Sequence, residues 1–497
     1  MVLLELFLGL DLGTTGVKGI LVDARGSLVA VHGERLSLST PKPAWAEQNP
    51  NEWWSATLKV LKALSNRSRE IGGRIRALAT SGQMHSLVVV DGEGRVLRDA
   101  ILWCDQRTYV ECDEATNLLG GEEQVLKIVG NPILPGFTLP KLLWLRKNEP
   151  ELYKRIYKVM LPKDFINYML TGNIATDHSD ASGTTMYDVF RMRWSEELLR
   201  TLKISTEILP EILPSNGIVG KVKRELAEEL DLQDVIVVAG GADNACAALG
   251  VGVIEPGDVM VSLGTSGTVV APTDVGSYDP MGRVHFFAHT VPNMRYHMGV
   301  MLTATYSLEW FKERFLEEGY DDINDCVART PIGSNGIIFL PYLNGERTPH
   351  RDPHARGVIF GLSSFHSKWD VVRAIFEGVT FGIRDSFEIL KELGLEPKNV
   401  RITGGGSKSK VWNQMLADAL GVEIQKPLVD EGASYGAAIL ACSGYSKLDV
   451  RKVSKEWFKL RETTRPTPEN RGAYDKVYAR FKELYHVLKD TFREGQV

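Results

Sequence analysis

Cysteine is scarce in this chain: Cys104, Cys112, Cys246, Cys326 and Cys442 are the five among 497 residues, and no two form a C-x-x-C pair. An odd number without paired spacing excludes a disulfide framework and a zinc knuckle, and fits reduced thiols in a cytoplasm. An excess of one charge is lacking as well. Lys and Arg number 58 against 63 Asp and Glu, a net charge of -5, which argues against a nucleic-acid surface. No clean apolar run of membrane-spanning length occurs. The most apolar long stretch, Val235 to Ile254, is broken by four glycines, Asp243 and Asn244, and reads as strand, turn and buried helix. The first residues carry Glu5 and Asp11 and lack a basic n-region and a small-residue cleavage site, so no signal peptide is expected. Neither G-x-x-x-x-G-K-[ST] nor H-E-x-x-H is present. The pairs His285/His289 and His350/His354 have ligand-like spacing without acidic neighbours, so zinc is not expected.

What is present is an ordinary globular composition, 43% hydrophobic and 24% charged, in a chain long enough for two to four domains. A repeat organises it. Leu8-Gly9-Leu10-Asp11-Leu12-Gly13-Thr14-Thr15-Gly16 resembles Met260-Val261-Ser262-Leu263-Gly264-Thr265-Ser266-Gly267, half a chain away. That distance is too long for a solenoid and points to two similar domains, 1–250 and 251–497, each opening on a strand and a Gly-Thr turn. Helical periodicity between strand-like runs, as at Val372, Ile375, Phe376, Val379 and Ile383, makes both halves α/β. The segment from Pro468 shows one apolar face of a terminal helix.

A turn rich in Gly and hydroxyl residues aims backbone N–H and side-chain O–H groups at an anion. Two such turns, Gly13-Thr14-Thr15 and Gly264-Thr265, could grip one polyphosphate; the alternative is a pair of plain hairpin turns. Asp11 precedes the first turn where Ser262 precedes the second, so one carboxylate stands ready for Mg²⁺ beside phosphate, or caps a strand end. Gly404-Gly405-Gly406-Ser407, between the strand Val400–Thr403 and a helix Lys410–Leu420, suits an adenosine pocket that includes Ser409. It half-matches a dinucleotide fingerprint through Gly404, Gly406 and Glu423, but Ser409 stands where the third glycine belongs. Asp243 is the one charge between Val235 and Ile254. It is either a general base at a strand end or the N-cap of a helix starting near Ala245. In Gly82-Gln83-Met84-His85-Ser86, His85 either orients a hydroxylated ligand or is a core histidine. Trp103, beside Cys104 and Asp105, offers an aromatic face of the kind sugars stack on, or simply a core side chain.

These motifs together resemble the FGGY family of carbohydrate kinases, in its xylulose kinase branch. The likeness runs through Leu10–Lys18, Gly82–His85, Gly136-Phe137-Thr138-Leu139-Pro140-Lys141, Leu161-Pro162-Lys163-Asp164, Gly240–Asn244, Ser262–Gly267, Phe339–Leu343 and Gly345-Glu346-Arg347-Thr348-Pro349-His350. The resemblance implies two actin-like, ribonuclease-H-fold domains closing on ATP and a sugar. It also implies Asp243 as catalytic base, Met84 and His85 against the sugar with Trp103 and Asn244 nearby, and Asp11 serving the metal and phosphates. ATP would lie on Gly13, Thr14, Thr15, Gly264, Thr265, Gly404, Gly405 and Ser409. The Gln-Met-His at 83–85 is typical of xylulose kinases, whereas glycerol kinases carry Arg-Glu at 84 and 85. Ser86 and Cys104 differ from the usual residues there. The expected reaction is ATP-dependent phosphorylation of D-xylulose to D-xylulose 5-phosphate, with Mg²⁺, in the cytoplasm. The alternatives are another ketose or polyol within the class, and outside it an actin-like ATPase or a sugar-binding regulator. The expected partners are the sugar and ATP, without nucleic acid or membrane, and a homodimer is left open.

Overall fold

Runs of Leu, Val, Ile and Ala that are buried along their whole length call for sheets covered on both faces, and the computed structural model, which describes residues 4–494, has two of them. The first comprises β1 (Leu4–Leu12), β2 (Gly16–Asp23), β3 (Leu28–Arg35), β4 (Gly73–Gly82), β5 (Ile218–Lys221) and β6 (Ile236–Ala242), in the order β5-β6-β4-β1-β2-β3. The second comprises β7 (Asp258–Leu263), β8 (Gly267–Thr273), β9 (His285–Ala288), β10 (Arg295–Met301), β11 (Asn399–Thr403), β12 (Ile424–Pro427) and β13 (Leu460–Thr464), in the order β9-β10-β8-β7-β11-β12-β13.

The repeat seen in the sequence is a repeat of topology. In the first sheet β1-β2-β3 is an antiparallel meander, and β4 and then β6 join it in parallel. In the second, β7-β8-β10 is antiparallel and β11 and then β12 follow in parallel. Two mixed α/β halves of one plan result, the architecture expected of an actin-like pair.

On the outer face of the first sheet lies α1 (Pro50–Glu70). Asn49 starts it, its side chain accepting from Asn51 N–H, and Pro50 occupies the first helical position, where a missing N–H costs nothing. Trp53, Val60, Leu61 and Leu64 recur at helical spacing and are fully buried against the sheet; each such burial contributes roughly 1.5–3 kcal/mol. The second sheet is covered outside by α3 (Lys368–Glu392) and the helix Lys410–Leu420, and α5 (Pro468–Glu494), the terminal helix read from its apolar face, packs on both of these helices. The inner faces are shared between halves. The early helix α2 (Asp243–Gly250) packs Ala245 and Ala248 against Met260, Val270 and Met298 of the second sheet. The late helix α4 (Gly432–Ser446) packs Ala437, Ala438 and Ile439 against Phe7, Ile20, Ala77 and Ala79 of the first. These two helices also touch each other. The halves are thereby joined through their cores at the level of the strand ends.

Local details differ from the sequence reading. The helix expected near Ala245 begins at Asp243, and Ala242 is its cap residue. The run 404–407, read as a loop, is largely a 3₁₀ turn, Gly405–Lys408.

Candidate active site

The site begins with register. Asp11 on β1 and Gly241 on β6 both lie opposite Ser81 of β4, and Ala242 lies opposite Gly82. The carboxyl ends of three parallel strands therefore converge, with Asp11 and Asp243 on strands two spacings, about 10 Å, apart. A bulge on β6 aims the second acid. The β4–β6 register slips between Val238 and Gly241, and Gly240 takes a φ of 76° at a point where a Cβ would sit 1.8 Å from the Thr80 carbonyl oxygen. Only glycine fits there.

The Asp243 carboxylate accepts from the N–H and the side-chain amide of Asn244, at 2.7 and 2.9 Å. It does not reach the N–H groups two or three residues on that an N-cap would serve. Burial, and secondly the charge of Asp11, push its pKa up to about 7 against the pull of the Asn244 contacts. Asp11 is raised as well, chiefly by burial, and its Oδ1 is buried without a hydrogen-bond partner. Burial and the charge of Asp11 make Asp243 a proton acceptor poised near neutrality, while Asp11, raised by burial and opposed by Lys18, keeps an unpaired oxygen open to a cation. No cluster of three or more metal-ligating side chains exists among the described residues. The orphaned Asp11 oxygen nevertheless fits a Mg²⁺ whose other ligands are phosphate and water, the arrangement usual for this ion.

Both Gly-Thr loops are hairpin turns, but the second closes one residue tighter than the first, Leu12 pairing with Val17 and Leu263 with Gly267. Gly13 N–H donates to the Gly16 carbonyl and Gly264 N–H to that of Ser266, both at 3.0 Å. Thr15 and its counterpart Ser266 are both exposed, as is Thr265. Thr14 is committed elsewhere: its hydroxyl accepts from Trp103 Nε1 at 2.9 Å, and its carbonyl accepts from Gln48 at 2.7 Å. What remains of it for an anion is its backbone N–H. The second loop is braced by Thr305, whose N–H and hydroxyl both donate to the Gly264 carbonyl. Gly404, with φ 84°, abuts it so closely that a Cβ would meet the Leu263 carbonyl oxygen at 2.5 Å. The next residues, Gly405, Gly406, Lys408 and Ser409, line a cavity of about 450 Å³ with Tyr320, Asn324 and Trp412. Its aromatic and glycine walls suit a purine. Ser409 donates to Asn324 at 2.6 Å and accepts from Trp412 N–H at 3.1 Å.

On the other side of the acids, Met84 and His85 are buried with Phe137 and Phe287 around them. His85 has φ 69°, an unusual conformation for a residue with a side chain. Its carbonyl is held there by the Thr138 hydroxyl and the Lys141 ammonium, at 3.0 and 2.9 Å. Burial first, then the charge of Lys141 and its neighbours, keeps the imidazole neutral by lowering its pKa well below the usual value. Its Nδ1 lies 2.5 Å from the Gly183 carbonyl, so Nδ1 carries the proton and Nε2 is left as an acceptor. Trp103 is half-buried beside it, its backbone N–H donating to the Ser86 hydroxyl at 3.1 Å. Asn244 approaches Thr268 of the second sheet at 3.4 Å. Asp11, Asp243, Asn244, Met84, His85, Trp103 and the first loop thus share one cleft with the second loop. Gly405 and Ser409 line the adjoining cavity.

Behind this wall sits a group that sequence reasoning missed. Lys163, fully buried, lies 2.6 Å from Asp164, 3.1 Å from Asp177 and 3.7 Å from Asp180. Asp177 binds the Ser179 hydroxyl, which in turn accepts from Ala242 N–H at 3.0 Å. The ion cluster therefore reaches the residue before Asp243. Burial opposes the charge on Lys163, and three carboxylates overcome it and raise its pKa. The signal was a lysine and an aspartate side by side at the head of an apolar helix.

With this geometry in view, the family can be read directly. Residues 6–250 match the N-terminal domain of the FGGY family of carbohydrate kinases, and residues 259–445 match its C-terminal domain. The chain belongs to the FGGY family. Among FGGY relatives it is 41% identical to the xylulose kinase of Staphylococcus epidermidis over 98% of this chain and 97% of that one. It is 42% identical to the xylulose kinase of Lactococcus lactis over 96% of each. The ligand-bound xylulose kinase of Lactobacillus acidophilus superposes with a TM-score of 0.94 at 28% identity, covering 99% of this chain and all of the other. The FGGY frame accounts for both sheets, both loops and the cleft between them. No helix among the described residues is long and apolar enough to cross a membrane.

Proposed function

We propose that this FGGY kinase transfers the γ-phosphoryl group of ATP to the terminal hydroxyl of D-xylulose. Full-length likeness to xylulose kinases and the Gln83-Met84-His85 wall support the sugar. The observation that carries the chemistry is Asp243, a carboxylate poised near pH 7 at the meeting of strand ends, with a single strand, β4, between it and Asp11.

In this reading Asp243 holds the C5 hydroxyl and takes its proton as the oxygen attacks phosphorus in line and ADP departs. His85 Nε2 accepts from a sugar hydroxyl, Trp103 covers the sugar, and Asn244 orients Asp243. Gly13 and Gly264 close the two turns, the N–H groups of Thr14, Thr15 and Thr265 face the phosphates from opposite halves, and Gly404, Gly405 and Ser409 form the purine site. Mg²⁺, held through Asp11 and the phosphates, would supply charge neutralisation at the transferring group. The units that close on the substrates are taken as 1–250 and 251–497. The five free cysteines accord with a reducing cytoplasm. A homodimer is the assembly to test by sedimentation, with the exposed Phe360, Leu362 and Phe365 as a face a second copy would cover. The test of function is ADP release over a panel of ketoses, aldoses and polyols with a no-sugar control. D-xylulose should give the highest kcat/KM, and sugar-independent ADP release at the same rate would defeat the reading.

A further inference from the structure

The segment Gly345–Pro349 belongs to the second half of the chain, yet it sets one arginine among residues of the first. A Cβ on Gly136 would lie 3.8 Å from Arg347 Nη2 and 2.7 Å from the Trp103 carbonyl oxygen, so the guanidinium sits against the backbone of the Trp103 wall. Its charge is felt at His85 and at Cys104. Burial draws its own pKa below the usual arginine value, although the residue keeps part of its surface open, as a group on the wall of a deep cleft does.

Among the described residues no carboxylate, carbonyl or hydroxyl receives a hydrogen bond from this guanidinium. The neighbouring Glu346 carboxylate is turned away and accepts from the backbone N–H groups of Leu302 and Arg347, at 3.0 and 2.7 Å. Arg107, which is fully buried, is by contrast paired with Asp105 and Glu47, both at 2.7 Å. Arginine cannot escape burial by losing its proton, so a desolvated guanidinium without a partner is costly unless a ligand completes it.

Position says what that ligand offers. The charges that set Asp243 are those of Asp11 and the contacts of Asn244, and Arg347 is not among them. The cleft is thus acidic where phosphate is transferred and cationic at the His85 end. On the functional reading above, on which this inference rests, a ketopentose held by its C5 hydroxyl at Asp243 directs its C2 carbonyl toward the other end. A ketone oxygen only accepts hydrogen bonds, and a guanidinium only donates them. We propose that Arg347 is a substrate-binding residue that donates to the carbonyl-end oxygens of the sugar and so favours ketoses over polyols of the same length.

The experiment compares D-xylulose with xylitol, the same skeleton without the carbonyl, for the parent protein and for Arg347→Gln, Arg347→Lys and Arg347→Ala. Xylitol is taken as a substrate or, failing turnover, as a competitive inhibitor. Loss of a charge-assisted bond should raise the KM for D-xylulose about 10- to 100-fold in Arg347→Gln, with about threefold or less for xylitol and no comparable change for ATP. Arg347→Lys should fall between, and free guanidinium should restore part of the D-xylulose activity of Arg347→Ala. An unchanged KM for D-xylulose, or equal losses on both compounds, would overturn the assignment. If the Gln variant fails to fold, absence of guanidinium rescue in the Ala variant, together with a parent-like Lys variant, would overturn it equally. A parent protein that phosphorylates no ketose defeats the functional reading instead, and that result is separate from any behaviour of Arg347.

Discussion

Between Leu12 and Val17 the first half turns its chain on Gly13, Thr14 and Thr15. Between Leu263 and Thr268 the second half does so on Gly264, Thr265 and Ser266. Each turn sits at the same place in its sheet, but the bond that closes it runs from Gly13 to Gly16 in the first half and from Gly264 to Ser266 in the second. Their surroundings are unlike. The first is tied by Trp103 and Gln48 to the wall that holds Met84 and His85, with Asp11 on a strand that β4 separates from the strand leading to Asp243. The second is tied by Thr305 and Gly404 to the aromatic cavity, with Ser262 where the acid would be. Duplication of the Gly-Thr turn supplied two grips, and the side chains around them divided the work, with an acid on the strand before the first turn and a serine in its place before the second.

The sharpest way to break that division is Asp243→Asn. Removing a general base should lower kcat by roughly 10²- to 10⁴-fold, with binding of ATP retained. The same variant tests the burial of the acid. With a folded pKa of about 7 against 3.8 in the unfolded chain, the protonated acid is favoured in the fold, so its contribution to stability is fully present below about pH 3.8 and is lost as pH rises toward 7. The melting temperature of Asp243→Asn should therefore equal that of the parent near pH 4 and exceed it at pH 8. In the parent, kcat/KM for the sugar should rise along a limb centred near pH 7. A flat profile between pH 5 and 9 would remove Asp243 from the base role.

Next in size is Lys163→Met, which leaves Asp164 and Asp177 buried without their counter-ion and should cost about 3–5 kcal/mol of stability, read by denaturant unfolding. Near-parental stability would mean that the acids of the first half do not depend on that lysine. Asp11→Ala against Ser262→Ala then compares the halves directly. The first should lose on the order of 10²- to 10³-fold in kcat with a steeper Mg²⁺ requirement, while the second changes little. Equal, mild losses with the same Mg²⁺ dependence would erase the distinction between the loops. The smallest effect belongs to Trp103→Phe. It keeps an aromatic face but removes the bond to Thr14, worth about 1 kcal/mol, and should appear in sugar KM more than in ATP KM.

Much of this was legible in one dimension because it rests on local rules. Hydrophobic runs and Gly-Thr turns repeat at corresponding places, so two α/β halves follow from pattern alone, and helix Lys410–Leu420 was bounded correctly by its periodicity. Asp243 stood out because one acid in a long apolar stretch must be paired, bonded or used. What the chain order hides is everything that depends on who lies across from whom. That Asp11 and Asp243 share an edge comes from the register of β1 and β6 on β4, and the turn that aims Asp243 comes from a bulge at Gly240. Lys163, Asp177 and Asp180 lie on separate segments and form one ion cluster only after the chain has folded over them. Thr14 looked free for phosphate until Trp103 was seen to donate to it, and Arg347 carries no local sign of reaching the opposite half. Periodicity is a property of neighbours along the chain, so the sequence by itself determined the elements and their repeat. The pairing of charges and donors depends on distances that close only when the two halves meet, and the tertiary structure alone decided those.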